Sequence, residues 1–326
     1  MSLENFSIIV PVYNGAETLD ACLEALVGQA YPREQFEVIV VNDGSTDETP
    51  QIAARYPVRL INLGSNEGRI VARNTGARAA RFENLVFNDA RVIPERDLLT
   101  KVSRRGYEPL LPTVDLYDGS PWGLARFFHL LRWRLYSPHY PPSENAEEYF
   151  ITPDNFDNVP KGTTNFVCDR ALWLKNQLLG TDKYTNDDTR ILRQIVRERP
   201  ILRTGAVSVV YRPRSDFSDV MIHTYQRGPR FADYYLRPGG KYFLFYLFIW
   251  FFILFSVAAV VLFPVVKGVV LAGLFLAYIA VVLYLSRTWS DLTVVGLCLP
   301  AVVLSFGLGI LKWQLTEWVA GKRSGS

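Results

Sequence analysis

The stretch with most chemical potential is Leu85-Val86-Phe87-Asn88-Asp89-Ala90-Arg91, where an apolar run of strand length ends in one carboxylate and one guanidinium. In an open α/β sheet, ligands bind in the crevice outside the carboxyl ends of the strands. Charges at such an end therefore touch whatever binds. Taken alone, an ordinary strand leaving the core through a solvated turn explains these residues equally well. A second acidic corner follows Phe36–Val41, in Asn42-Asp43-Gly44-Ser45-Thr46-Asp47, and a third is Asp187-Asp188. Structural readings exist for several of these acids. Asp47 suits a helix cap, while Glu17 and the Asp187-Asp188 pair suit the positive end of a helix dipole.

The elements that must position these groups follow from hydrophobic spacing. Phe6–Val12 (FSIIVPV) and Phe36–Val41 (FEVIVV) are short, β-branched and almost continuously apolar, which predicts buried parallel strands. Ala16–Gln29 carries helical spacing through Leu19, Cys22, Leu23 and Leu26, and a second helix is expected to end near Arg55. Val58–Leu63 predicts a third strand, Arg69–Ala80 a basic helix and Leu85–Phe87 a fourth strand. Strand and helix alternate throughout, as in a parallel sheet covered by helices.

Four ordered segments, SIIVPVYNGAETLDACLEAL, EVIVVNDGSTDETPQIA, NEGRIVARNTGARAA and LVFNDA, resemble family 2 inverting glycosyltransferases over roughly Ser7–Arg230. The resemblance implies the GT-A nucleotide-diphospho-sugar transferase fold, an α/β fold whose mostly parallel sheet is flanked by helices. A dinucleotide-binding Rossmann domain would need Gly-x-Gly-x-x-Gly after the first strand, where this chain has Pro11-Val12-Tyr13-Asn14-Gly15. In the family that turn and the Asp43 loop hold the donor's base and ribose, for which a carboxylate acceptor is suited. Arg73 resembles the phosphate-side arginine, whose fork matches phosphate oxygens. Asp187-Asp188 resembles the Glu-Asp motif, which makes Asp188 the expected base for the acceptor hydroxyl and Asp187 the runner-up. Asn165, in Gly162-Thr163-Thr164-Asn165-Phe166, resembles the segment lining the sugar pocket.

The chain departs from the family pattern in two places. Asp89-Ala90-Arg91 stands where Asp-x-Asp is common, so the usual second metal-binding aspartate is a cation, and Arg212 stands where many relatives have histidine. Two expectations stay open: Mg²⁺ or Mn²⁺ held by Asp89 with Asn88 and the donor phosphates, or metal-independent departure of the nucleotide assisted by Arg91 and Arg212. Gln226, Arg227 and Arg230 in YQRGPRF loosely resemble the Gln-x-x-Arg-Trp element of processive members. The spacing is one residue too long, and Phe231 replaces the tryptophan. Basic residues at a membrane surface explain this segment nearly as well.

Between these motifs, Pro94–Val102 predicts a short helix, Ser103–Thr113 resists placement, and Val207–Arg212 predicts the last strand. Trp122–Tyr136 interleaves aromatics with Arg126, Arg132 and Arg134, which suits an interfacial or acceptor-lining helix or a packed helix with a basic edge. Pro138–Pro160 reads as a long loop.

From Tyr242 onward charges nearly vanish. The expected organisation is a catalytic domain (1–220), a basic interfacial segment (221–241) and a transmembrane region (242–326) with candidate spans 242–263, 268–285 and 292–311. Three spans would put Lys312, Lys322 and Arg323 opposite the basic run Arg227–Lys241, against the positive-inside tendency. Met1–Phe6 is too short and acidic for a secretory signal. A net charge of +3 gives no nucleic-acid footprint, and Cys22, Cys168 and Cys298, with neither pairing nor metal spacing, point to a reducing compartment.

The resulting expectation is a multi-pass cell-membrane enzyme with its catalytic domain in the cytoplasm. It would move a sugar from a nucleotide sugar, UDP-linked for preference, to a hydroxyl of a lipid-linked or membrane-proximal glycan acceptor, with homo-oligomerisation compatible. Transfer to a polyprenyl phosphate and a catalytically silent nucleotide-sugar-binding scaffold are the alternatives.

Overall fold

The computed structural model describes residues 4–106, 108–116, 123–136, 148–179, 187–214 and 216–324, with only the backbone of Leu116, Asp187, Pro264 and 318–324. β1 (Phe6–Val12) is buried at every position, and β2 (Phe36–Asn42) pairs with it in parallel from Phe6↔Phe36 to Val12↔Asn42. α1 (Ala16–Val27) turns Leu19, Cys22, Leu23 and Leu26 inward along one stripe. α2 (Thr49–Ala53), the outer strand β3 (Arg59–Asn62), α3 (Arg69–Ala79) and β4 (Asn84–Asn88) complete the alternation expected from the sequence. Side chains alternate across β1, so Ile8 and Val10 join one apolar cluster and Ile9 the other.

Beyond β4 the sheet becomes mixed. β5 (Val92–Pro94) precedes α4 (Leu98–Arg105), so the helix expected from Pro94 begins after a short strand that ends there. The unplaced stretch after it enters β6 (Leu110–Leu116). α5 (Leu124–Tyr136) is a helix as expected, and β7 (Tyr149–Ile151) lies inside the expected long loop, whose residues 138–147 fall outside the described set. β8 (Asn165–Asp169) runs antiparallel to β4, followed by α6 (Arg170–Asn176), α7 (Asp187–Glu198) and β9 (Ile201–Tyr211), which starts six positions before the expected Val207. The strand order is β3-β2-β1-β4-β8-β6-β9-β5, with β7 also on β9. The result is a mixed sheet flanked by helices.

These strands, with α1–α4, α6 and α7, form one compact unit; α5 belongs to a second, with α8 (Phe217–Tyr235), α9 (Phe243–Leu262), α10 (Lys267–Leu285) and α11 (Trp289–Ser324). The expected boundary at 220 thus falls inside α8. Most of the expected interfacial segment is the body of that one helix. In the second unit Phe127 and Leu130 of α5 pack with Val282, Leu285, Val294 and Val295, and Arg126 Nε donates to the buried Asp291 at 2.8 Å. Three helices, Phe243–Leu262, Lys267–Leu285 and Trp289–Glu317, are long and apolar enough to cross a membrane.

Candidate active site

The carboxyl ends of β1, β2 and β4 carry the site. Past Val12 the chain turns at Tyr13, which is exposed, and Asn14, whose φ is 47°. The β2–α2 loop ties this turn down. Ser45 Oγ accepts from Asn14 N at 2.9 Å, Thr49 Oγ1 from Gly15 N at 2.8 Å and Asp47 Oδ2 from Ala16 N at 3.1 Å. Asp47 also accepts from Thr49 N at 3.0 Å, so it joins the starts of α1 and α2 and is more than the simple cap its position suggested. Its own carboxyl is lowered, because burial, which raises it, is outweighed by these hydrogen bonds.

Asp43 is buried and accepts from the backbone N–H groups of Glu67 and Gly68 at 2.8 and 3.0 Å. The Gly68 φ of 96° suits glycine and aims both donors at the carboxylate. Asp43 therefore holds the entry of α3 as well as the loop it stands in.

The centre is Arg73, which α3 presents fully buried. Its Nη2 donates to Asp89 Oδ1 at 2.8 Å and its Nη1 to Asp188 Oδ1 at 2.7 Å. Thr163 Oγ1 donates to the same Asp188 oxygen at 2.5 Å, and Arg69 Nη1 lies 3.8 Å from Asp188 Oδ2. Burial raises the Asp188 carboxyl, but the guanidiniums of Arg69 and Arg73 outweigh it and hold the group well below the usual carboxylate range. Asp89 moves upward: burial raises it, Arg73 offsets part of that, and neighbouring Asp188 adds to the rise. Both carboxylates remain about a quarter exposed, so they face a solvent-accessible side while the guanidinium behind them does not.

Arg91 leaves the β4–β5 corner beside Arg212, whose backbone N–H donates to the Arg91 carbonyl at 2.8 Å. Arg91 Nη2 reaches Glu17 Oε2 at 3.2 Å, and its Nη1 is buried with no hydrogen-bond partner among the described residues. Asn88 is turned into the core, where its amide donates to the Asp89 and Val92 carbonyls and accepts from Asn165 Nδ2 at 2.7 Å. Asn88 is thus removed as an ion ligand, and Asn165 braces β8 against β4. No group of three His, Cys, Asp or Glu suited to a metal occurs among the described residues. Asp89 and its neighbour Asp188 are both engaged by Arg73, so no protein-held metal site is assembled among the described residues.

The fold brings Pro11, Val12, Tyr13, Asp43, Arg73, Asp89, Arg91, Asn165, Asp188 and Arg212 into one unit. Asp187 opens α7, and its side chain lies outside the described residues, as do 180–186 of the same motif. Gln226, Arg227 and Arg230 stand on α8, in the other unit. Sequence reasoning missed Thr163 and Arg69. Arg69 carried a signal, since it lies four residues before Arg73 on the same helix face.

Residues 7–156 match the family described as Glycosyl transferase family 2. The chain carries a family 2 glycosyltransferase domain. It is 37% identical over 120 residues to glycosyltransferase AglE of Haloferax volcanii, covering 35% of this chain and 38% of AglE. It is also 37% identical over 90 residues to the poly(ribitol-phosphate) beta-N-acetylglucosaminyltransferase TarS of Staphylococcus aureus, covering 26% of this chain and 16% of TarS. These matches span well under half the length of either relative. S. aureus TarS 1–349 in complex with UDP-GlcNAc superposes with a TM-score of 0.51 at 20% identity, covering 70% of this chain and 67% of that one. This likeness shows the fold, with the GT-A arrangement the family 2 resemblance implied. Asp188 and Arg212 lie beyond the matched family segment.

Proposed function

We propose that this chain is a membrane-anchored inverting glycosyltransferase that moves a sugar from a nucleoside diphosphate, UDP in the first instance, to a hydroxyl of a lipid-linked or membrane-proximal glycan acceptor. The observation that carries this reading is the bridge from Arg73 to Asp89 and Asp188 at the strand ends. One buried cation there fixes a donor-side carboxylate and the expected base. The exposed Tyr13 and the Asp43 loop offer an aromatic face and a carboxylate acceptor for the base and ribose of a nucleotide. That TarS binds UDP-GlcNAc favours a UDP-linked donor. The three apolar helices favour an acceptor at the membrane.

Asp188 is ionised at every physiological pH and so is in the form that accepts a proton. As the acceptor oxygen attacks the anomeric carbon, its proton passes to Asp188 while the bond from that carbon to the diphosphate oxygen breaks on the opposite face. Thr163 and Arg73 donate to Oδ1, so Oδ2, with the Arg69 guanidinium 3.8 Å away, is the receiving atom. The guanidinium of Arg91, with Arg212 next to it on the paired strand end, supplies positive charge to the departing diphosphate.

A second reading rests on the contacts of Asp188. A carboxylate held by Arg73 and Thr163, with Arg69 close by, is weakened as a base, and an anionic polyprenyl phosphate acceptor would need none. Membranes containing the full chain, incubated with radiolabelled nucleotide sugars and either hydroxyl-bearing glycolipid or polyprenyl phosphate, test both. Label in the glycolipid supports the main reading and label in the phosphate the second. Label in neither, with nucleotide still bound, would favour a catalytically silent binding protein.

A further inference from the structure

The three apolar helices sort by what they touch. α9 is exposed along its apolar length, with no buried residue, and α10 buries only Val282 and Leu285 near its end. α11 behaves differently. Its first turns pack against α5 through the Arg126–Asp291 pair and the cluster of Phe127, Leu130, Val294 and Val295. Its later turns run alongside α8: Ser305 Oγ donates to the Met221 carbonyl at 2.6 Å, and Arg237, just past α8, donates to Glu317 at 2.9 Å. Between these contacts the two backbones meet at glycines. A Cβ on Gly228 would lie 2.6 Å from the Phe306 carbonyl oxygen, and one on Gly309 3.1 Å from Gly228 Cα.

These contacts conflict with three crossings. At 1.5 Å per residue, Gly309 lies about 27 Å along α11 from Asp291, close to the roughly 30 Å thickness of a bilayer's hydrocarbon core. Were α11 to cross, α5 and α8 would sit on opposite sides of the membrane. Neither helix has that freedom. α5 is joined at both ends to the sheet unit, through 117–123 to β6 and 137–148 to β7, and with 13 residues it is too short to span. α8 follows β9 after residues 212–216 alone, and its charged Asp219, Arg227, Arg230 and Asp233 bar it from the bilayer interior.

We propose that α9 and α10 alone cross the bilayer, as a hairpin, and that α11 lies with α5 and α8 against the leaflet on the catalytic side. α9 and α10 have 20 and 19 residues, about 30 and 28 Å of helix, enough for one crossing each. The exposed apolar face of α11, including Leu297, Val303, Leu304, Leu308 and Leu315, then rests on acyl chains, with the basic residues of α8 and Lys312 at the level of anionic headgroups. The charge pattern also becomes regular: Arg126, Arg227, Arg237, Arg287 and Lys312 share the catalytic side, and the α9–α10 turn at Phe263–Lys267 carries a single lysine.

The inference rests on the membrane-anchor reading, and the test separates the two. Full-length chains with Cys298→Ala are given one reporter thiol each: Val265→Cys in the α9–α10 turn, Ser290→Cys at the α10–α11 junction, or a cysteine appended after Ser326. A membrane-impermeant maleimide is added to sealed intact cells and to permeabilised ones. The hairpin predicts external labelling of the Val265→Cys chain alone, and labelling of the other two only after permeabilisation. External labelling of the appended cysteine, or none at Val265→Cys, would overturn it. An alkaline phosphatase fusion after Ser326 reads the same question in the unsubstituted chain and should be inactive; an active fusion overturns the proposal. Release of the chain from membranes by alkaline carbonate would overturn the anchor reading itself.

Discussion

Arg73 and Asp188 are 115 residues apart in sequence, yet Arg73 Nη1 lies 2.7 Å from Asp188 Oδ1. We propose that this guanidinium, buried behind two carboxylates, acts on substrate through them as a positioning residue, where the family resemblance implied a direct phosphate contact. Because its fork reaches both acids, lysine cannot replace it.

Arg73→Lys should therefore lower thermal stability and transfer together. Removing one partner of a buried pair typically costs about 3–5 kcal/mol, and the retained charge of lysine should recover only part of that. Thermal unfolding of the detergent-solubilised chain checks the first effect and sugar transfer the second. A wild-type melting temperature in Arg73→Lys would show that the bridge holds nothing.

Arg91 is expected to assist the leaving group, and its effect should be kinetic. Arg91→Ala should reduce turnover by about a hundredfold, the scale seen when one preorganised electrostatic donor is removed. Wild-type turnover should survive excess chelator. Activity lost in chelator and restored by Mn²⁺ would show that the charge comes from an ion instead.

Glu108 gives a pH signature outside the site. Burial, with Asp169 and Glu4 adding to it, pushes its carboxyl from an ordinary 4.5 up to about 7. The folded state therefore holds a proton that the unfolded state has released between those values, so stability falls as pH rises through that window. Glu108→Gln should flatten this slope, measured as melting temperature against pH. An unchanged slope would contradict the assignment.

The α8–α11 crossing predicts a different failure. Gly228→Ala places a methyl against the α11 backbone, which cannot yield as a side chain can, and should cost about 1–3 kcal/mol. Nucleotide binding by the sheet unit should persist, as read by UDP titration. A variant as stable as wild type would show that the close approach is not needed.

The first half of the sheet was legible because β1 and β2 are unbroken apolar runs covered on both faces, and their length and turns announce them. β5 and β7 were not, since three residues give no period and Pro94 resembles a helix start. Arg73, Asp89 and Asp188 stood out in the sequence one by one but not as a bridge, because pairing across 115 positions leaves no local trace. Asn88 shows the converse: its polarity suggested a ligand, while its amide satisfies the backbone around Asp89. α5 and α11 betray composition but not partner, so Arg126 and Asp291 could not be matched beforehand.

The role of Asp188 as proton acceptor is tested by comparing UDP release coupled to sugar transfer onto a hydroxyl acceptor in wild type and Asp188→Asn, with UDP affinity measured alongside. Asparagine keeps the shape and accepts from Arg73 and Thr163 but is no base. Turnover should fall by about a hundredfold or more with UDP affinity nearly unchanged. Near-wild-type turnover in Asp188→Asn would contradict it.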